Sequence, residues 1–114
     1  PLHDSNTYES LSKQLESNCR MDKDFANRKL KASVRYKINP AGEIYDVRLI
    51  SSSGFVVFDQ SVLKAADKDG IIFKPPTILD SAIESTFQYD PITGKIVVSS
   101  WPQPIKERRK ATPR

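Results

Sequence analysis

The sequence predicts an α+β domain in which one antiparallel sheet of three to four strands carries two helices on one face. Three observations support this fold class: strict period-two alternation near residue 30, two segments with apolar residues at helical spacing, and glycine-containing turns between neighbouring segments. The predicted order is helix, strand, strand, helix, strand, strand. With 114 residues, 38% of them hydrophobic, the chain fits one domain with one modest core.

The first helix is predicted over residues 7–18. Apolar residues recur at helical spacing from Tyr8 to Leu15, and Asn6 followed three residues later by Glu9 forms the pattern of a capping box. The stretch that follows is charged and irregular, which is typical of a connector.

The clearest strand is predicted over residues 30–39, where apolar residues from Leu30 to Ile38 alternate with basic and polar ones. This alternation puts the apolar set on one face of the sheet and the basic set on the other. Residues 39–42 (NPAG) predict a turn, since Pro fixes φ at the second position and Gly can take a positive φ at the fourth.

The chain returns as a second strand over residues 43–51, which predicts an antiparallel hairpin. Tyr45, Val47 and Leu49 are in phase with one another, whereas Ile44 is out of phase. A bulge or bend is therefore expected near the turn.

A second helix is predicted over residues 59–68, with Asp59 as its N-cap and Gly70 beyond its end. Val62, Leu63 and Ala66 form its apolar stripe. A Pro-Pro pair at 75–76 then prevents continuation as a helix or a central strand.

A second hairpin closes the predicted fold. Alternating residues predict strand 83–89, and an apolar run predicts strand 95–100, which ends where Pro102 and Pro104 follow. Between them, residues 90–94 (DPITG) are typical of a type I turn closed by a glycine in the left-handed region.

The net charge of +4 lies in the C-terminal tail. Residues 102–114 contain five basic residues and one acidic residue, so the predicted domain, residues 1–101, has no net charge. A basic tail of this kind is a solvated segment, or it binds an acidic partner, a nucleic acid or an anionic lipid surface. The residues that would contact such a polyanion are Lys106, Arg108, Arg109 and Lys110.

Catalytic and metal-binding motifs are missing from the sequence. One His (His3) and one Cys (Cys19) exclude a Cys/His zinc cluster, a CxxC pair and an internal disulfide. The sequence has no GxSxG, P-loop, GxGxxG or HExxH motif. We therefore expect no enzymatic activity, no cofactor and no metal. The basic strand residues Lys31, Arg35 and Lys37 form either a solvated face or a docking surface for an acidic partner.

Three segments resemble the TonB/TolA C-terminal domain family. Residues 39–54 (NPAGEIYDVRLISSSG) resemble its turn, second strand and Ser-Ser-Gly loop, and residues 58–66 (FDQSVLKAA) resemble its second helix. Residues 73–76 (FKPP) resemble the exit from that helix. The similarity covers roughly residues 6–90. Family members of the TolA type often carry a cysteine pair, whereas this chain has only Cys19, which is expected to be buried.

The resemblance implies a non-catalytic periplasmic module of an envelope-spanning protein that is anchored in the inner membrane through a segment upstream of Pro1. The implied partners are an outer-membrane or periplasmic protein and, through that upstream segment, inner-membrane proteins. The family binds partly by β-augmentation, in which a partner segment pairs with a strand edge. In this sequence the edge is carried over to the last hairpin, with the residues Ile83, Ser85, Phe87, Tyr89, Ile96, Val97, Val98 and Ser99.

The sequence is also compatible with two other functions. The same fold could serve for assembly or oligomerisation in a secretion, conjugation or pilus machine, and the last strand could be exchanged in a strand-swapped dimer. The third function is polyanion binding through the tail, although no nucleic-acid partner is expected for the uncharged domain.

Overall fold

The computed structural model describes residues 8–67, 70–75 and 78–103. The four strands form a single antiparallel sheet in the order β2-β1-β3-β4. The fold class predicted from the sequence is therefore confirmed: one four-stranded antiparallel sheet with two helices. The elements in chain order are α1 (Glu9–Asn18), a 3-10 turn (Lys23–Phe25), β1 (Leu30–Ile38), β2 (Ile44–Ser51), α2 (Val56–Asp67), β3 (Ser81–Asp90) and β4 (Lys95–Gln103).

The sheet has two central strands and two edges. β1 pairs with β3, and β3 with β4, each over nine successive residue pairs without a register shift. β2 and β4 are therefore the edge strands. Among the described residues, no helix is long and apolar enough to cross a membrane.

The core lies between the sheet and the two helices. α1 packs mainly against β4, and α2 packs against β2 and β1. Apolar side chains of β1 are buried, while Lys31 and Arg35 between them are exposed, in agreement with the alternation in the sequence. Phe25, from the connector after α1, stacks edge-on against Phe58 at 5.3 Å and Tyr89 at 5.6 Å between ring centroids. The connector is therefore fastened to the core by an aromatic side chain.

β2 is irregular. Its pairing with β1 shifts register twice, and Asp46 has a positive φ of 56°. Because Asp46 is an extra residue in β2, the side chains that precede it point to the opposite faces of the sheet from those expected by continuing the alternation of Val47 and Leu49. Ile44 therefore packs against the core, and Tyr45 is exposed. The sequence predicted a bulge here but placed Tyr45 in phase with Val47 and Leu49, which is wrong because a bulged residue turns the preceding side chain to the opposite face.

Several element ends differ from those expected. α2 begins at Val56, so Asp59 lies in its first turn and is not the N-cap. α1 begins at Glu9 after Tyr8, and the cap predicted at Asn6 lies outside the described residues. β4 continues through Pro102 to Gln103, although the sequence predicted that Pro102 would stop it.

Gly42 is required by a close approach of the backbone. It has a φ of 94°, and a Cβ atom at this position would lie 2.6 Å from the carbonyl oxygen of Phe73. The segment that contains Phe73 is also held by Gln14 of α1, whose side-chain amide donates to Ile72 O at 2.8 Å and accepts from Ile72 N at 2.7 Å. The first hairpin turn, α1 and the segment after α2 are thus joined at one end of the domain.

Candidate protein-docking edge

The residues that the sequence assigned to the docking edge divide between two strands with different surroundings. Ile83, Ser85, Phe87 and Tyr89 lie in β3, their side chains are buried, and both edges of β3 are paired. β3 therefore has no free backbone edge while β4 is in place. The other four residues lie in β4.

β4 has one buried and one open side. Ile96 and Val98 point towards the helices and are buried, whereas Val97 and Ser99 point to the opposite face and are exposed. Val97 is 55% exposed. We call the backbone edge of β4 that is turned away from β3 the outer edge.

The orientation of the β4 backbone follows from one hydrogen bond. The N–H of Val98 donates to the Glu16 carboxylate of α1 at 3.0 Å, so it points away from β3. In an antiparallel pair, alternate residues direct their N–H and C=O groups to opposite sides. The outer edge therefore presents the backbone groups of Ile96, Val98, Ser100 and Pro102.

The outward orientation of the backbone at every second residue also explains why Pro102 does not end the strand. Proline has no N–H, and it is tolerated in an edge strand where the missing donor would face away from the neighbouring strand. Pro102 lies opposite Ile83 in the pairing of β4 with β3. Because its missing N–H belongs to the outer edge, pairing continues to Gln103.

A chain of hydrogen-bonded hydroxyl groups, which are buried except for the half-buried Ser100, connects β4 to the rest of the fold. Ser12 of α1 donates to Ser100 at 2.8 Å, Ser100 bonds Ser85 at 2.7 Å, and Ser85 bonds the Tyr36 hydroxyl at 2.7 Å. Tyr36 and Ser85 are at most 1% exposed. Burial raises the pKa of Tyr36, so its hydroxyl stays protonated and the chain is uncharged.

The edge formed by β2 differs from the outer edge of β4. Its two register shifts break the regular spacing of backbone groups, and bulged edges are poor templates for an added strand. Its side chains also form a local charge cluster, in which Asp46 contacts Arg48 at 3.0 Å and Lys37 at 3.7 Å. β4 is therefore the regular edge of the sheet.

The sheet face that lies away from the helices, here called the open face, is mixed in charge. Glu84 forms an ion pair with Arg35 at 3.0 Å and lies opposite Trp101, which is 37% exposed. Lys31 and Lys37 lie on the same face. Two residues of the basic set predicted from the strand pattern, Arg35 and Lys37, therefore each have an acidic partner, although Lys37 shares Asp46 with Arg48.

The described part of the chain holds neither a reactive thiol nor a metal-binding cluster. Burial raises the pKa of the Cys19 thiol to about 12, which leaves it protonated and unreactive at neutral pH. Over the same residues, no group of His, Cys, Asp and Glu side chains could hold a metal ion.

The sequence assigned Ser85 to the docking edge but did not indicate its hydroxyl contacts, and it did not single out Ser100 or Glu16. Ser85 and Ser100 lie in the apolar phase of their strands, and this position alone could have indicated hydroxyl groups on the core side of the sheet. Glu16 carried no comparable signal, because its contact with Val98 joins residues 82 positions apart. The polyanion-contact residues Lys106, Arg108, Arg109 and Lys110 lie outside the described residues.

The described residues form an antiparallel sheet with helices on one face and one regular strand edge, and an extended peptide can add to an edge of this kind. The family model for the TonB C terminal matches residues 8–87, which is more than half of the chain, and the chain therefore belongs to the TonB C-terminal family. This confirms the resemblance seen in the sequence. The family is a non-enzymatic, periplasmic family of protein-interaction domains that generally bind envelope proteins.

The match ends within β3, so β4 lies beyond the matched residues. No protein of curated function and no solved structure matches the chain significantly.

Proposed function

We propose that this chain is a periplasmic protein-docking domain that binds an extended segment of an envelope protein along the outer edge of β4. The observation that carries the proposal is the regular backbone edge of β4, with exposed Val97 and Ser99 beside it. An added strand gains affinity from main-chain hydrogen bonds and specificity from alternate side chains.

The proposed docking strand is β4 and not β3, although the resemblance placed edge residues on both strands of the last hairpin. β3 is paired on both sides, so a partner could reach it only if β4 detached. Detachment would expose the buried side chains Ile96 and Val98 and break the Ser12–Ser100–Ser85 hydrogen bonds. Addition to the outer edge has neither cost.

The proposed parent protein spans the periplasm. Its docking partner is an outer-membrane or periplasmic protein, and its inner-membrane partners are reached through a segment upstream of this chain. Docking by backbone pairing requires no cofactor, metal or nucleic acid. Polyanion binding through Lys106, Arg108, Arg109 and Lys110 is a separate proposal, which deletion of residues 106–114 would abolish without affecting strand docking.

Photo-crosslinking in intact cells tests the docking edge. A photoreactive amino acid is placed in the full-length parent protein at Val97 or Ser99, and at Gln60 on the exposed side of α2 as a matched control. We expect crosslinks to the same envelope protein from Val97 and Ser99 and none from Gln60. Crosslinks from Gln60 alone would overturn the assignment of the edge.

Assembly of several copies is the second candidate function, because the outer edge of β4 could pair with β4 of another copy. The described hairpin closes within one chain, since Gly94 N donates to Asp90 O at 2.7 Å and β4 lies directly beside β3. A mass in solution that rises with concentration would favour assembly, whereas a monomer at all concentrations would favour transient docking.

A further inference from the structure

Glu16 occupies the middle of the proposed docking edge. It lies on α1, and its carboxylate accepts the outward N–H of Val98 at 3.0 Å. By the alternation described above, this N–H is the central donor of the outer edge, between those of Ile96 and Ser100. It is the donor that a carbonyl group of an incoming strand would need.

The position of Glu16 is fixed from two sides. One turn earlier on α1, Ser12 donates to Ser100 of β4 at 2.8 Å, which holds the helix against this strand. Glu16 itself is half-buried, and its hydrogen bond with the N–H of Val98 holds the carboxylate beside the edge. A carboxylate is also a stronger acceptor for a backbone N–H than a neutral carbonyl.

We propose that Glu16 is a built-in competitor of strand docking, which covers the outer edge of β4 in the free domain and must be displaced when a partner segment pairs with it. This inference rests on the proposed docking function and adds its regulation. A covered edge protects the free domain from unspecific pairing, because exposed edge donors are sites of aggregation. Only a segment that offsets the lost Glu16 contact can bind.

Removal of the carboxylate should therefore tighten strand binding. The probe is a synthetic peptide with the sequence of residues 95–103, an extended and β-prone segment, titrated into the 114-residue chain and followed by backbone amide shifts. The variants are Glu16→Ala, which removes the acceptor, and Glu16→Gln, which keeps a neutral one. Glu9→Ala is the matched control, since it removes the same charge from an exposed position of the same helix.

We expect Glu16→Ala to bind the peptide about tenfold more tightly than the wild type, which corresponds to about 1.4 kcal/mol. Glu16→Gln should be intermediate, and Glu9→Ala should equal the wild type. The Val98 amide should also exchange with solvent about tenfold faster in Glu16→Ala, because its acceptor is gone. Alanine favours helices at least as well as glutamate, so α1 should remain folded.

The possible failures are distinguishable. Equal affinities in all four proteins, with shifts along β4, would overturn the role of Glu16 and leave the docking function standing. Unchanged exchange of the Val98 amide in Glu16→Ala would overturn it as well. If no protein, Glu16→Ala included, shows shifts along β4, the competitor role is overturned, whereas the docking function is judged separately by the crosslinks from Val97 and Ser99.

Discussion

Asp59 connects the end of β2 to the start of α2. Its carboxylate accepts the backbone N–H of Ser53 at 2.9 Å, the hydroxyl of Ser53 at 2.7 Å and the hydroxyl of Ser52. Burial by itself raises the pKa of Asp59, but these three hydrogen bonds outweigh it and hold the pKa below its usual value. The Ser-Ser-Gly loop is thus held by one charged residue.

Replacing Asp59 by Asn should make stability less dependent on pH. A carboxyl group with a lowered folded pKa contributes stability above its unfolded pKa of about 3.9, and this contribution is lost as the pH falls through the folded value. We expect the free energy of unfolding of Asp59→Asn to be about 2 kcal/mol lower than that of the wild type at pH 7, with the difference shrinking below about pH 4. Urea unfolding at several pH values measures it.

Asp67→Asn is the control for this experiment, because Asp67 is exposed on the same helix. Its effect should stay within about 0.5 kcal/mol at neutral pH. A constant difference between wild type and Asp59→Asn from pH 7 to pH 3 would contradict a lowered pKa.

At the scale of single residues, the sequence indicated that certain residues have a structural role, but it did not indicate which contacts they make. Asp59 was recognised as a helix-start signal, but capping patterns do not distinguish an N-cap from an acid in the first turn that binds the preceding loop. Glu16 could not be assigned at all, because nothing near it in the sequence indicates that α1 would lie under β4. Contacts across 82 positions depend on the packing of elements and not on local pattern.

Hydrogen bonds between hydroxyl groups join α1 to three strands of the sheet. The Ser12, Ser100, Ser85 and Tyr36 chain crosses from α1 through β4 and β3 to β1, which fixes the position of α1 against the sheet. Buried polar groups are costly unless they are satisfied. In the described part of the chain, no buried side-chain nitrogen or oxygen lacks a partner. The hydroxyl chain therefore favours one arrangement of these elements over others.

Ser85→Ala tests the hydroxyl chain. The change removes the central hydroxyl and leaves the buried Tyr36 hydroxyl without its bond to Ser85, so we expect the free energy of unfolding to fall by about 1–3 kcal/mol. The control is Ser99→Ala in β4, where the serine is exposed and the expected change is within about 0.5 kcal/mol. Equal effects of the two substitutions in urea unfolding would show that the chain adds no stability.

At the scale of elements, regular patterns were read correctly from the sequence and irregular ones were not. The alternation of residues 30–39 agrees with β1 because each residue there occupies one position in the ladder. β2 departs from the predicted alternation because Asp46 adopts a left-handed conformation, and the sequence contains no signal for this conformation. Pro102 stays in β4 because its missing N–H faces outwards, and this orientation depends on the register with β3.

The whole molecule is a sheet with two unlike edges. β2 is bulged and carries a charge cluster, whereas β4 is regular, lies beyond the residues matched by the TonB C-terminal family, and has one of its donors covered by Glu16. The sequence predicted the fold class and the last hairpin, but it assigned docking residues to both β3 and β4. Strand order favours β4 in the docking that we propose, because β3 is paired on both sides.

We propose that partner segments add to the outer edge of β4. The most direct measurement is a structure of the 114-residue chain bound to the partner segment identified by crosslinking. We expect the segment to form a fifth strand, whose backbone bonds those of Ile96, Val98 and Ser100 while Glu16 is displaced. A segment bound only against α1 and α2, with the β4 edge unpaired and Glu16 still on Val98, would contradict it.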